Sequence, residues 1–115
     1  QKNKLIDMMT YVWKNMLDMG QPVTISSSTG GSHKEKSKHY TCEAVDFNPD
    51  KGYSQEYVSI LQKVLSKLPY EHRCLIEYNS NTGKMVYRCT HLEFNDQKTG
   101  IYALDYQKNV SVKVI

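Results

Sequence analysis

Asp46 stands inside the short apolar run Ala44-Val45-Asp46-Phe47, which reads as a buried strand. A bare carboxylate is costly to bury, so an acid there needs a cation or hydrogen-bond donors. A metal ion would satisfy the acid. His39, in Ser37-Lys38-His39-Tyr40-Thr41-Cys42, precedes it by seven positions, and an imidazole with a carboxylate suits zinc.

A site needs a further ligand. The chain has four histidines, His33, His39, His72 and His91. His91 lies in Met85-Val86-Tyr87-Arg88-Cys89-Thr90-His91-Leu92-Glu93-Phe94, a run of β-branched and aromatic residues that reads as a long strand. A ligand on such a strand is well positioned. Two histidines and a carboxylate around zinc, with a fourth position open to water, is a hydrolytic arrangement.

The remaining pattern supplies a scaffold. Leu5, Ile6, Met8, Met9, Val12, Trp13, Met16 and Leu17 recur at helical spacing, and Gly20 and Pro22 stop the helix. The Met and Trp stripe is expected to pack into the core. Val23 to Ser27 is a short strand. From Ser26 to Lys38 the chain is polar and glycine-containing and reads as a loop, with His33 either at the rim of a site or facing solvent. Asn48 to Gly52 is a turn. Ser54 caps a second helix, with Glu56 in its first turn and Tyr57, Val58, Leu61, Val64, Leu65 and Leu68 on its apolar face. That helix is expected to pack on the sheet as a crossover.

Arg73 to Tyr78 and Met85 to Phe94 read as a hairpin turning over Asn79 to Lys84. That register sets Glu77 opposite Val86, and Cys74 opposite Cys89. The two cysteines are then either a cross-strand bridge or, more simply, buried thiols. Ile101 to Leu104 and Val110 to Val114 form a last hairpin, and the strict alternation of Val110-Ser111-Val112-Lys113-Val114 predicts one wet face. The whole is α+β, a mostly antiparallel sheet with two helices packed against it.

At 115 residues the chain suits a single domain spanning 1–115. Its net charge of +3 is too small to argue for nucleic acid, and no apolar run approaches the ~20 residues of a membrane helix. An odd count of three cysteines argues against a secreted disulfide framework. There is no secretory signal and the chain opens at Gln1 without Met, as expected of a processed or excised fragment.

Ser37-x-His39 followed by Glu43-Ala44-Val45-Asp46 resembles the S-x-H-x-x-G-x-A-x-D signature of the zinc D-Ala-D-Ala peptidases, whose fold the Hedgehog signalling domain shares. Pro22 to Ser27, Gly30-Gly31-Ser32-His33, Cys74 to Tyr78 and Thr90 to Phe94 look like that family's other words, in its order. The resemblance is to the short phage and Bacteroides-type members. It implies zinc held by His39, Asp46 and His91, and a water attacking a peptide bond of peptidoglycan, in the manner of a phage- or bacterium-encoded cell-wall lytic enzyme. Three features depart from the pattern. Cys42 replaces the signature glycine. The family's arginine is missing, with Ser28 and Thr29 near its place. Arg88 and Cys89 stand where many members carry the general base. Glu77 or His33 would then act as base, or Glu77 would orient a ligand histidine or be a strand-surface acid. The alternative is a catalytically silent zinc-binding module of the same fold, such as a wall-binding or virion component. A weaker variant recruits Cys42 or Cys89 as a ligand of a closed structural site.

Overall fold

The computed structural model describes residues 2–27 and 43–114. Helix α1 (Lys2–Asp18) leads into strand β1 (Val23–Ser27). Strand β2 (Ala44–Pro49) is followed by helix α2 (Gln55–Ser66), then by β3 (His72–Asn79), β4 (Val86–Phe94), β5 (Gly100–Asp105) and β6 (Val110–Lys113). The six strands form one sheet in the order β1-β2-β4-β3-β5-β6. All neighbours are antiparallel except β3 and β5. The protein is thus α+β, two helices on a mostly antiparallel sheet. β2 and β3 run parallel with β4 between them, and α2 is the crossover that joins them.

Local chemistry explains the ends of the helices. Gly20 has φ +80°, and Gln21 N–H donates to the Met16 carbonyl while Gly20 N–H donates to that of Leu17. This is the paired closure a left-handed glycine makes possible after a helix. Ser54 caps α2 by accepting from Tyr57 N–H at 3.1 Å.

Both helices contribute to one core, which also takes Val45 and Phe47 from β2, Cys74 and Ile76 from β3, Leu92 and Phe94 from β4, and Ile101 from β5. Side chains alternate across a strand. The helix-bearing face therefore carries these residues, and Ala44, Asp46, Arg73, Leu75, Glu77, Cys89, His91 and Glu93 belong to the other face.

Four expectations are corrected. Leu5, Met8, Val12 and Met16 are buried, but Trp13, Ile6 and Leu17 are each close to half exposed. One residue of a helix turns by about 100°, so Trp13 points well away from its buried neighbour Val12. The sheet covers a narrower stripe than the sequence offers. Secondly, Glu77 pairs with Cys89 and not with Val86, whose partner is Asn79. The turn is no shorter than expected but lies one residue later, over 80–85, because Asn79 still belongs to the ladder and Met85 does not. An extra residue, Arg88, then bulges out where the register shifts between Glu77 and Tyr78. Thirdly, the moved turn and the bulge together set Cys74 opposite Leu92 and not Cys89, so the two cysteines lie on opposite faces; they are free, buried thiols, the simpler of the two readings. Lastly, β6 is exposed along its whole length, valines included, where one dry face was expected.

Among the described residues, no helix is long and apolar enough to cross a membrane.

Candidate metal centre

The face of the sheet away from the helices carries a cluster of charge. Asp46 of β2 stands directly opposite His91 of β4, and His91 in turn stands opposite Leu75 of β3. Glu77 lies two residues further along β3, diagonal to His91 and within reach of a long side chain. Glu93, two residues beyond His91, shares its face and stands opposite Ala44 and Arg73. The small Ala44 leaves room beside it.

The contacts follow from this grid. His91 Nδ1 lies 2.9 Å from Asp46 Oδ1, and His91 Nε2 lies 2.8 Å from Glu93 Oε1. The second Glu93 oxygen accepts from Arg73 Nε at 3.1 Å and from Asn95 Nδ2 at 2.8 Å. Arg88 donates to Glu77 Oε1 at 2.8 Å and lays its guanidinium 3.6 Å from the centre of the Tyr106 ring. His91, Glu77 and Glu93 are buried, although both helices pack on the opposite face.

Burial opposes a charge on His91, but its hydrogen bonds to Asp46 and Glu93, and their charges, outweigh that and raise its pKa to about 9. Burial likewise opposes the Glu93 carboxylate. The hydrogen bonds from His91 and Asn95, with the charges of His91 and Arg73, bring it down to about 2. Burial, then the charges of Glu77 and Asp46, push the Cys89 thiol up to about 12. Formally, three carboxylates (Asp46, Glu77, Glu93) face two guanidiniums and one imidazolium. The cluster balances when His91 is charged and carries a net negative charge when His91 gives up its proton.

Asp46, Glu77 and His91 each offer a ligand atom, and these atoms lie within 4.8 Å of one another, so the group could hold a metal ion. One imidazole nitrogen and two carboxylate oxygens suit a divalent ion such as zinc or manganese. A ligating histidine ordinarily donates its other ring N–H to a carboxylate or carbonyl. Glu93 supplies that acceptor, leaving Nδ1 for the ion. The donor set fits.

No protein-family model, curated protein or solved structure matches the chain. The reading of the site therefore rests on its own geometry.

Of the residues singled out in the sequence, Asp46, His91 and Glu77 converge here. His33, His39 and Cys42 lie outside the described residues. His72 belongs elsewhere, at the far end of β3 opposite Phe94, with Nδ1 2.7 Å from the Tyr70 carbonyl oxygen. Cys89 neighbours Glu77 but is not part of the group that could hold an ion. Glu93 was the residue the sequence reading passed over. Its signal was present, since in His91-Leu92-Glu93 two polar residues flank an apolar one, the spacing that sets both on one face of a strand. Arg73 carried no such signal, because its partner Glu93 is on another strand.

Proposed function

We propose that this protein is a zinc-dependent peptidase acting on the stem or crosslink peptides of peptidoglycan. The observation that carries the reading is the direct cross-strand contact of Asp46 with His91, with Glu77 in the same group. The order of motifs resembling the D-Ala-D-Ala peptidases supports the substrate class, and it adds His39 as the remaining ligand.

When bound, zinc supplies a water of lowered pKa and polarises the carbonyl of the bond to be cut. Asp46 and His91 would hold the ion with His39 as the third ligand, and Glu77, the other member of the group that could hold a metal, would serve as base instead of ligand. Glu93 fixes the His91 ring by accepting from Nε2, so that only Nδ1 is presented. Glu77 would accept a proton at a carboxylate oxygen. The strand itself lacks an acid at Cys89, and Glu77 stands directly opposite that position. Arg88 holds the Glu77 carboxylate in place from the outer side. His33 is the other candidate base.

A second reading has one observation in its favour. Glu77 is engaged by Arg88 at 2.8 Å, and a base kept in that ion pair does not accept a proton. The protein would then be a zinc-binding module of the same kind without turnover.

Metal analysis after purification in zinc is expected to find about one ion per chain, lost in Asp46→Ala and in His91→Ala. Purified cell wall incubated with the zinc-loaded protein is expected to release new amines, and chelator to stop that release. Full zinc occupancy with no release on wall or on stem peptides would leave the module and overturn the peptidase. Glu77→Gln is expected to keep the metal and lose ~100-fold or more in rate.

A further inference from the structure

We propose that β6 pairs with β6 of a second copy of this chain across a two-fold axis, carrying one sheet through two protomers. The inference is independent of the metal centre.

Among the described residues, β6 is an edge of the sheet. Its inner side is bonded to β5, with Tyr102 opposite Lys113, Ala103 opposite Val112, Leu104 opposite Ser111 and Asp105 opposite Val110, and Val114 N–H donates to the Ile101 carbonyl. Its outer side presents backbone donors and acceptors with no partner among the described residues. Such a row bonds to water or, as a ready template, to another extended strand.

The side chains say which strand. Val110, Val112 and Val114 are 57%, 63% and 53% exposed. They share the helix-bearing face, by register with Asp105 and Ala103, yet the helices pack over the other end of the sheet and leave them uncovered. Edge strands are guarded by shortness, lysine, proline, a bulge or an inward charge, and β6, four residues long with Lys113, has the first two. Val110 to Val114 has neither proline nor bulge, and its one charge, Lys113, lies on the face opposite the valines.

A strand that pairs with its own copy about a two-fold axis normal to the sheet runs antiparallel to it and keeps each face on the same side. Centred on Val112, that pairing sets Val112 against Val112 of the second copy, Val110 against its Val114, and Ser111 against its Lys113. Every valine meets a valine and no lysine meets a lysine. Centred on Ser111, the pairing would put Val114 against Lys108, and centred on Lys113 it would oppose two ammonium groups. The sequence thus singles out one register. A contact this short buries less than the ~800 Å² per partner of a standard interface, so the association is weak and depends on concentration.

The experiment uses the full chain. In sedimentation between ~10 µM and ~1 mM, the weight-average mass is expected to rise from monomer towards dimer. Val112→Lys, which sets two ammonium groups face to face, is expected to stay monomeric throughout. Its fold is checked by hydrogen exchange of the core strands, and its side chain lies outside the core. Register is read by crosslinking. Val112→Cys sits at the two-fold position, where paired Cβ atoms lie ~4.5–5.5 Å apart. It is expected to form a disulfide dimer at least ~10-fold faster than Val110→Cys alone, with the unsubstituted protein as baseline. Val110→Cys mixed with Val114→Cys is expected to crosslink as a pair. A mass that stays monomeric to ~1 mM, or equal rates for all three cysteine variants, would overturn the proposal.

Discussion

His91 is gripped at both ring nitrogens by carboxylates, and that grip has a sign. In chelator-treated protein its folded pKa of about 9 exceeds the ~6.5 of an unfolded histidine, so the stabilisation is complete below ~6.5 and is lost as pH rises through about 9. Glu93 is the reverse case, lowered to about 2 from 4.5, so its stabilisation is present above ~4.5 and lost as pH falls through about 2. Both are complete only between ~4.5 and ~6.5. The metal-free protein is therefore expected to be most resistant to urea in that window, and to lose about 2–3 kcal/mol by pH 9.5, counting the shared ion pair once. A flat urea midpoint from pH 5.5 to 9.5 would show that the clamp contributes nothing. With metal, the outer acceptor matters instead. Glu93→Gln keeps the shape but weakens the hold on Nε2, and it is expected to reduce zinc affinity ~10–100-fold in a competition titration. How much of this was legible depended on the residue. Asp46 and His91 were marked by an acid in an apolar run and a histidine in a β-rich one. Glu93 was marked only by a spacing of two. Arg73 and Arg88 were invisible, because a salt bridge between strands leaves no trace in local sequence.

The elements were legible where their signals are local. The apolar periodicity of α2, its Ser54 cap and the glycine after α1 are all short-range, and the structure has each of them. Ser54→Ala is expected to cost about 1 kcal/mol in a thermal or urea melt, since it orphans a first-turn N–H of α2. Register was not legible. Nothing in Asn79 to Lys84 announces that Asn79 is still paired, or that Arg88 is the extra residue, because a bulge reflects the competition of two whole strands for the same side-chain faces. The breadth of the buried stripe on α1 was equally hidden. Trp13 belongs to the apolar pattern, yet Trp13→Ala is expected to change stability by ~0.5 kcal/mol or less, against ~2–5 for Leu61→Ala.

Across the whole molecule, the sheet keeps two chemistries apart. The helices and the apolar sides of the strands make the core; the reverse side holds the charges. Leu61→Ala is thus expected to lower the melting temperature while leaving zinc stoichiometry and affinity unchanged below the melt, because Leu61 packs on the face that bears no ligand. A parallel loss of zinc affinity would mean the two sides are coupled through the strands. The placement of Arg88 has a longer consequence. Between that residue and His91, β4 can gain or lose residues only by twos: a single deletion would trade inside for outside all the way to Phe94, sending Leu92 among the carboxylates and His91 into the grease. Variation in length is therefore expected in the turns at either end of this strand, and hardly at all within it.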